Sequence, residues 1–145
     1  MENLIRNRLA LLHEVAPDSI GDLLRLELES YDPERQEYWL RGRTLGWMRN
    51  VAGTLHGGMG ATLMDQTMGA VAYCLMPGEG FAPTIEMNVS YHRPLMPGEN
   101  VRVRVSVVSV TRSLIRLESR AYQADRPDRL CISATAAYFY KPLER

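Results

Sequence analysis

One carboxylate, Asp65, stands inside an apolar run that opens on a histidine and two glycines: Asn50, then VAGTL, His56-Gly57-Gly58, then MGATLM, Asp65, and QTM. A charge in such a setting is costly unless it is paired or used. If the run is a helix, Gly57 and Gly58 lie in its first turn. Backbone N–H groups there have no internal partner and carry the positive end of the helix dipole. With no Cβ in the way, a substrate carbonyl can approach them closely, as in an oxyanion site. The plainer alternative is that the glycines only let the helix start against a packed sheet. Asp65 offers a general base or a nucleophile. Its plainer alternative is a buried carboxylate, hydrogen-bonded in the core or paired with an arginine.

The spacing constrains these readings. Eight residues of helix separate Gly57 from Asp65, about 12 Å along the axis at 1.5 Å per residue. A base must come within about 3 Å of the proton it takes. One chain's Gly57 amide and its own Asp65 therefore do not act on the same carbonyl. Two such helices running antiparallel across a dimer axis would bring Gly57 of one to Asp65 of the other. A catalytic reading of this segment thus predicts an active site shared between subunits.

Other chemistries lack their residues. There is no GxSxG elbow and no Walker A, and Gly58-Met-Gly60-Ala-Thr-Leu63 fails GxGxxG at its third glycine. His13, His56 and His92 are scattered, no HExxH is present, and Cys74 and Cys131 form no CxxC pair, so no metal site or metal cofactor is expected. The 17 basic and 17 acidic residues cancel, which argues against a general nucleic-acid or membrane-surface binder. Arginine supplies nearly all the positive charge; Lys141 is the one lysine. Two unpaired cysteines and an N-terminus of scattered charges, MENLIRNRLALLHEVAP, read as a cytoplasmic protein without an export signal.

The elements that must position these residues follow from periodicity. The 145 residues suffice for one domain, 1–145. Ile5, Leu9 and Leu12 mark an amphipathic helix over about 3–16, ending before Pro17. Leu24, Leu26 and Leu28 alternate with charged residues as a first strand, and Tyr38 and Leu40 mark a second. Residues 55–75 form a helix apolar nearly all round, closed by Pro77, Gly78 and Gly80. Its Gly, Thr, Asp and Gln content makes it a buried centre rather than a membrane span. Thr84-Ile-Glu-Met-Asn-Val-Ser-Tyr91 alternates, with Ile85, Met87, Val89 and Tyr91 on one face and Thr84, Glu86, Asn88 and Ser90 on the other. Three more strands follow at 101–107, 115–121 and 130–140, joined by short turns and hence antiparallel. The fold class is α+β: one antiparallel sheet of about five to six strands wrapped around a central helix. An open sheet edge predicts a dimer.

The string Asn50-x-x-Gly53-Thr54-Leu55-His56-Gly57-Gly58, with Asp65 on the following helix, resembles the hotdog-fold acyl-CoA thioesterases, in their PaaI- and THEM2-like branch. The resemblance covers roughly residues 37–141 and includes the strand Thr84–Tyr91. It implies hydrolysis of acyl-CoA thioesters without a cofactor, in a homodimer with shared active sites, two dimers forming a homotetramer. By the resemblance, the Gly57 amide polarises the thioester carbonyl and Asp65 of the other subunit is base or nucleophile. Thr84 stands where the branch has a serine that helps place water. Asn50 matches an asparagine that orients the nucleophile or its water. His56 matches the motif histidine, with the backbone of His56 and Gly58 beside the substrate. Arg93 and Arg112 are candidates for a coenzyme A phosphate, with an ordinary solvated charge as the alternative for each. Glu86 is a rival carboxylate on the face assigned to Thr84. Gly69 is small where some relatives carry a hydroxyl, which would open the acyl side or carry no function. Two other functions remain open: a non-catalytic acyl-CoA binding module, and a hotdog-fold acyl-thioester hydratase or dehydratase. The latter lacks the Asp-x-Asn-Pro-(Ile/Leu)-His signature here.

Overall fold

A computed structural model describes residues 1–144. The elements run α1 (Glu2–Val15), α2 (Ile20–Leu23), β1 (Glu27–Asp32), β2 (Glu37–Arg43), a 3-10 turn (Gly46–Met48), α3 (Gly57–Leu75), β3 (Gly80–Phe81), β4 (Thr84–Tyr91), β5 (Asn100–Val110), β6 (Leu114–Gln123), β7 (Leu130–Phe139) and β8 (Lys141–Pro142). Six strands form one antiparallel sheet in the order β1-β2-β5-β6-β7-β4, and β3 and β8 make a separate two-stranded ribbon.

Alternation along the strands selects the buried face. Val101, Val103 and Val105 of β5, Ile115, Leu117 and Ala121 of β6, and Ile132, Ala134, Ala136 and Tyr138 of β7 are buried with Leu63, Met64, Met68, Val71 and Ala72 of α3. The helix is therefore the core on which the sheet curls. Its start is fixed by His56, whose Nδ1 accepts from the Gly58 N–H at 3.0 Å. Its end is fixed at Met76, whose ψ of 142° is the extended conformation that the following Pro77 imposes. α1 covers one side with Ile5 and Leu9.

The fold matches the sequence-based architecture, with three differences. The first predicted strand starts late. Leu24 and Leu26 are buried, but α2 and a left-handed Arg25 (φ 48°) precede β1, so that the leucine alternation records burial and not extension. The ribbon of β3 and β8 gave no periodic signal because each strand has two residues. The third difference bears on chemistry. The register slips between Thr84 and Glu86, where Thr84 opposes Tyr138 and Glu86 opposes Ala137. This bulge breaks the alternation and turns Thr84 to the helix side, together with Tyr138. Glu86 stays on the outer face and bonds Arg116 at 3.4 Å. Thr84 and Glu86 thus lie on opposite faces, not on one, and Glu86 is removed as a rival to Asp65.

The two edges of the sheet differ. β1 carries Glu27 and Glu29, and Arg6 of α1 donates to its Leu28 carbonyl at 2.6 Å. β4 is exposed along nearly its whole length and presents Ile85 and Tyr91, each more than half exposed.

Candidate active site

β4 runs antiparallel to α3 and grips it at two places. Near its end, Tyr91 donates its hydroxyl to the Gly57 carbonyl at 2.5 Å. At its start, Thr84 donates to Asp65 Oδ1 at 2.8 Å. The two halves of the sequence motif are separate clusters in one chain.

The Gly57 cluster is a cleft of about 360 Å3, lined among others by Asn50, His56, Gly57, Tyr91, Arg93 and Ile132. The backbone around it is tightly specified. Asn50 Oδ1 accepts from the N–H groups of Ala52 (2.9 Å) and Thr54 (3.1 Å), and its Nδ2 donates to Thr54 Oγ1 at 2.8 Å. Gly53 takes φ 81°, which a side chain would resist. His56 N–H donates to Met48 O and Leu55 N–H to Leu95 O, pinning the segment that enters the helix. Asn50 therefore shapes the loop with its own side chain. At Gly60 a Cβ would stand 2.8 Å from Ile132 Cδ1, so glycine lets α3 approach β7. At Gly57 a Cβ would meet Tyr91 at 3.6 Å, an ordinary contact. Among the described residues the Gly57 N–H has no acceptor, whereas the Gly58 N–H is held by His56. Gly57, not Gly58, offers the free donor.

The Asp65 cluster holds its carboxylate by one oxygen. Tyr138, opposite Thr84 in the sheet, donates to Asp65 Oδ1 at 2.9 Å and also lies 3.1 Å from the Asp65 carbonyl. Oδ1 thus accepts from two hydroxyls, while Oδ2 has no partner among the described residues. Burial, then the neighbouring Asp65 charge and hydrogen bond, push the Tyr138 phenol far above its ordinary value, with Thr84 opposing weakly. Tyr138 accordingly remains a donor at any working pH.

Sequence reasoning located Asp65 and Thr84 but missed Tyr138 and Tyr91. The available signal was position: Tyr138 ends the series Ile132, Ala134, Ala136 on the helix face of β7, and Tyr91 belongs to the apolar face of β4. Arg93 lies in the Gly57 cleft and donates to Leu130 O at 3.1 Å. It also borders a second cavity with Arg126 and Arg129. Arg112 is exposed in the β5–β6 turn, where Ser113 O accepts from Tyr140 N–H at 2.8 Å, at the Asp65 end of the sheet. No cluster of three or more potential metal ligands occurs among the described residues, and no helix among them is long and apolar enough to cross a membrane.

A long central helix wrapped by one antiparallel sheet, opened by a glycine pair and carrying a hydroxyl-clamped acid, defines a hotdog-fold protein. The chain belongs to the thioesterase superfamily, whose family model matches residues 52–132 and places it among the thioester hydrolases. No curated protein matches it in sequence. Among solved structures it is similar to thioesterase superfamily member 2 from Mus musculus, at TM-score 0.75 and 19% identity over 96% of both chains. A putative thioesterase from Ralstonia eutropha JMP134, described as phenylacetic acid degradation-related, gives TM-score 0.77 and 20% identity over 91% of this chain and 98% of that one. A hypothetical thioesterase with coenzyme A from Streptococcus pneumoniae TIGR4 gives TM-score 0.67 and 19% identity over 83% and 91%.

Proposed function

We propose that the protein hydrolyses acyl-CoA thioesters at sites built by two subunits. The observation that carries this reading is the carboxylate of Asp65, clamped through Oδ1 by Thr84 and Tyr138 with Oδ2 left free. A carboxylate fixed on one side and open on the other is poised to take a proton from water or to attack. The Gly57 N–H of its own chain is out of reach, about 12 Å away along α3. The exposed β4 edge, with its apolar Ile85, supports pairing with β4 of a second copy, which would set two α3 helices side by side.

In the composite site the thioester carbonyl oxygen accepts the Gly57 N–H of one subunit at the helix N-terminus. Asp65 Oδ2 of the other subunit takes a proton from water as the water oxygen adds to the carbonyl carbon. The tetrahedral intermediate collapses, the C–S bond breaks, and the thiolate leaves to be protonated. Direct attack by Asp65, giving a mixed anhydride that water then opens, uses the same geometry. Asn50 holds the loop that presents Gly57, and His56 caps the same turn. Arg93 beside Gly57 supports phosphate binding, and the coenzyme A bound in the Streptococcus thioesterase named above is in keeping with that ligand class. Arg112 lies at the Asp65 end of its own chain, so it would meet Arg93 only across the dimer.

An acyl-CoA panel on wild type and Asp65→Asn tests the reading. Thioester hydrolysis by wild type should fall about 100-fold or more in the variant. Equal turnover by both, hydration of an enoyl-CoA in place of hydrolysis, or ligand binding without any turnover would overturn it.

A further inference from the structure

A cavity of about 510 Å3 lies between α1 and α3, lined by Arg8, Leu11, Leu12 and Val15 on one side and Gln66, Gly69, Ala70 and Tyr73 on the other. Its direction can be read from contacts. A side chain at Gly21 would come within 2.9 Å of Gln66 Nε2 and 3.6 Å of Leu12 Cδ1, so Leu12 stands beside Gln66. Arg8 stacks on Tyr73, its guanidinium carbon 3.1 Å from the ring centroid. α1 therefore runs antiparallel to α3 along the groove. One end lies at Gln66, the neighbour of Asp65, and the other at the Arg8–Tyr73 pair. On α3, Gly69 and Tyr73 follow Asp65 at spacings of four and eight residues, adjoining the same face.

The lining changes along this path. Leu11, Leu12, Val15, Gly69 and Ala70 make apolar walls, and the far end carries a cation. Among the described residues Arg8 donates no hydrogen bond and meets no carboxylate; its one partner is the Tyr73 ring. Burial lowers its pKa, with the Cys74 thiol opposing, so the guanidinium sits partly stripped of water. A ring face satisfies a cation only in part and leaves the N–H fork unused. Gly69 leaves its part of the groove wall unfilled: a Cβ there would make one ordinary contact, 3.7 Å to Tyr138 Cε1, and a longer side chain would have space to occupy.

We propose that this groove receives the acyl group of the substrate and that Arg8 selects acyl groups bearing a carboxylate at their far end. The inference rests on the thioesterase reading of Asp65 and adds the substrate class to it. Tyr73 lies two helical turns beyond Asp65, about 12 Å. An extended chain of single bonds gains about 3.5 Å for every three bonds. A group of about eight to ten atoms spans the groove, with its methylenes on the leucines and its carboxylate on the guanidinium fork.

The test compares octanoyl-CoA with octanedioyl-CoA. kcat/KM is measured for wild type, Arg8→Met, Arg8→Lys and Gly69→Leu. Binding of both thioesters to Asp65→Asn and to Asp65→Asn combined with Arg8→Met is measured by calorimetry. Wild type should favour the dicarboxylic thioester by about tenfold or more, the scale of a hydrogen bond to a charged group. Arg8→Met should erase the preference and Arg8→Lys should keep part of it. Gly69→Leu should lower kcat/KM for both eight-carbon thioesters more than for acetyl-CoA. Equal kcat/KM in wild type, or a preference that survives Arg8→Met, overturns the groove assignment while hydrolysis itself leaves the thioesterase reading standing. If no thioester is hydrolysed, that reading falls and calorimetry decides for the groove: Arg8-dependent binding of octanedioyl-CoA sustains it, and its absence overturns it.

Discussion

The two ends of the first half of α3 are built in opposite ways. At Gly57 the backbone is pinned by Met48, Leu95 and the Asn50 loop, side chains are withdrawn, and one N–H is left without an acceptor. At Asp65 the side chain is the presented element, clamped by two hydroxyls from two strands with one oxygen unpartnered among the described residues. One end offers a backbone N–H without an acceptor among the described residues and no carboxylate; the other offers a carboxylate, and the hydroxyl donors beside it are spent on its Oδ1. β4 holds both at once, through Tyr91 and Thr84, so the distance between them is fixed by the sheet. Neither half can drift toward the other, and under the proposed mechanism a second chain completes each.

The strongest way to break this comparison is to disable the halves separately. Gly57→Pro removes the free N–H at the first helical position, where proline fits the backbone. Asp65→Asn removes the base. Each alone should lose about 100-fold or more in kcat. Mixed by co-refolding, half the dimers would be heterodimers with one intact site of two, returning about a quarter of wild-type activity. A mixture no more active than its components would show that both groups serve one chain's site or none.

The same logic locates the contact between chains. Ile85→Lys places a charge on the open β4 edge, a device that proteins use against strand pairing. Sedimentation velocity should show monomer in place of dimer, with turnover reduced at least about tenfold because both half-sites are left incomplete. A dimer that persists with full activity would move the interface elsewhere.

A finer probe acts on the clamp. Tyr138→Phe keeps the ring and deletes the hydroxyl that orients Asp65. As a positioning residue it should lower kcat by about tenfold with little change in KM, while the fold loses about 0.5–1.5 kcal/mol in denaturant titration. Thr84→Ser, which keeps a hydroxyl, should be milder than Thr84→Val.

Why the Gly57 half was legible and the clamp was not follows from sequence distance. His56, Gly57, Gly58, Asn50 and Gly53 act on one another within a few residues, through a cap and a turn, and local chemistry of that kind is written locally. The partners of Asp65 come from 19 and 73 residues away. Strict alternation placed Thr84 beside Glu86, and only the pairing of β4 with β7 reveals the bulge that separates them. Helix α3 and the four long strands were readable because each buries a periodic face. The two-residue strands and the leucines ahead of β1 were not, because apolar spacing alone does not distinguish a buried turn from an extended strand.

A buried acid, Asp22, provides the internal contrast for the half-buried Asp65. Asp22 engages both oxygens: Oδ1 accepts from His13 Nδ1 at 2.7 Å and pairs with Arg25 at 3.2 Å, and Oδ2 accepts the Asp18 N–H at 2.8 Å. Saturated in this way, it joins α1 to α2 and has no oxygen left for chemistry. The Asp18 N–H, then His13 and Arg25, hold its carboxyl below the usual range. Because the folded value is depressed, the contribution to stability is present above the unfolded value of about 3.9 and is lost as pH falls through the folded one. Asp22→Asn keeps the shape and one of the two acceptor oxygens but cannot titrate. Thermal unfolding followed from pH 6 downward should therefore show a shallower loss of stability below about pH 4 in the variant than in wild type. Identical acid limbs would mean that the junction holds without the Asp22 charge, and its saturated bonds would then contribute shape and not ionisation.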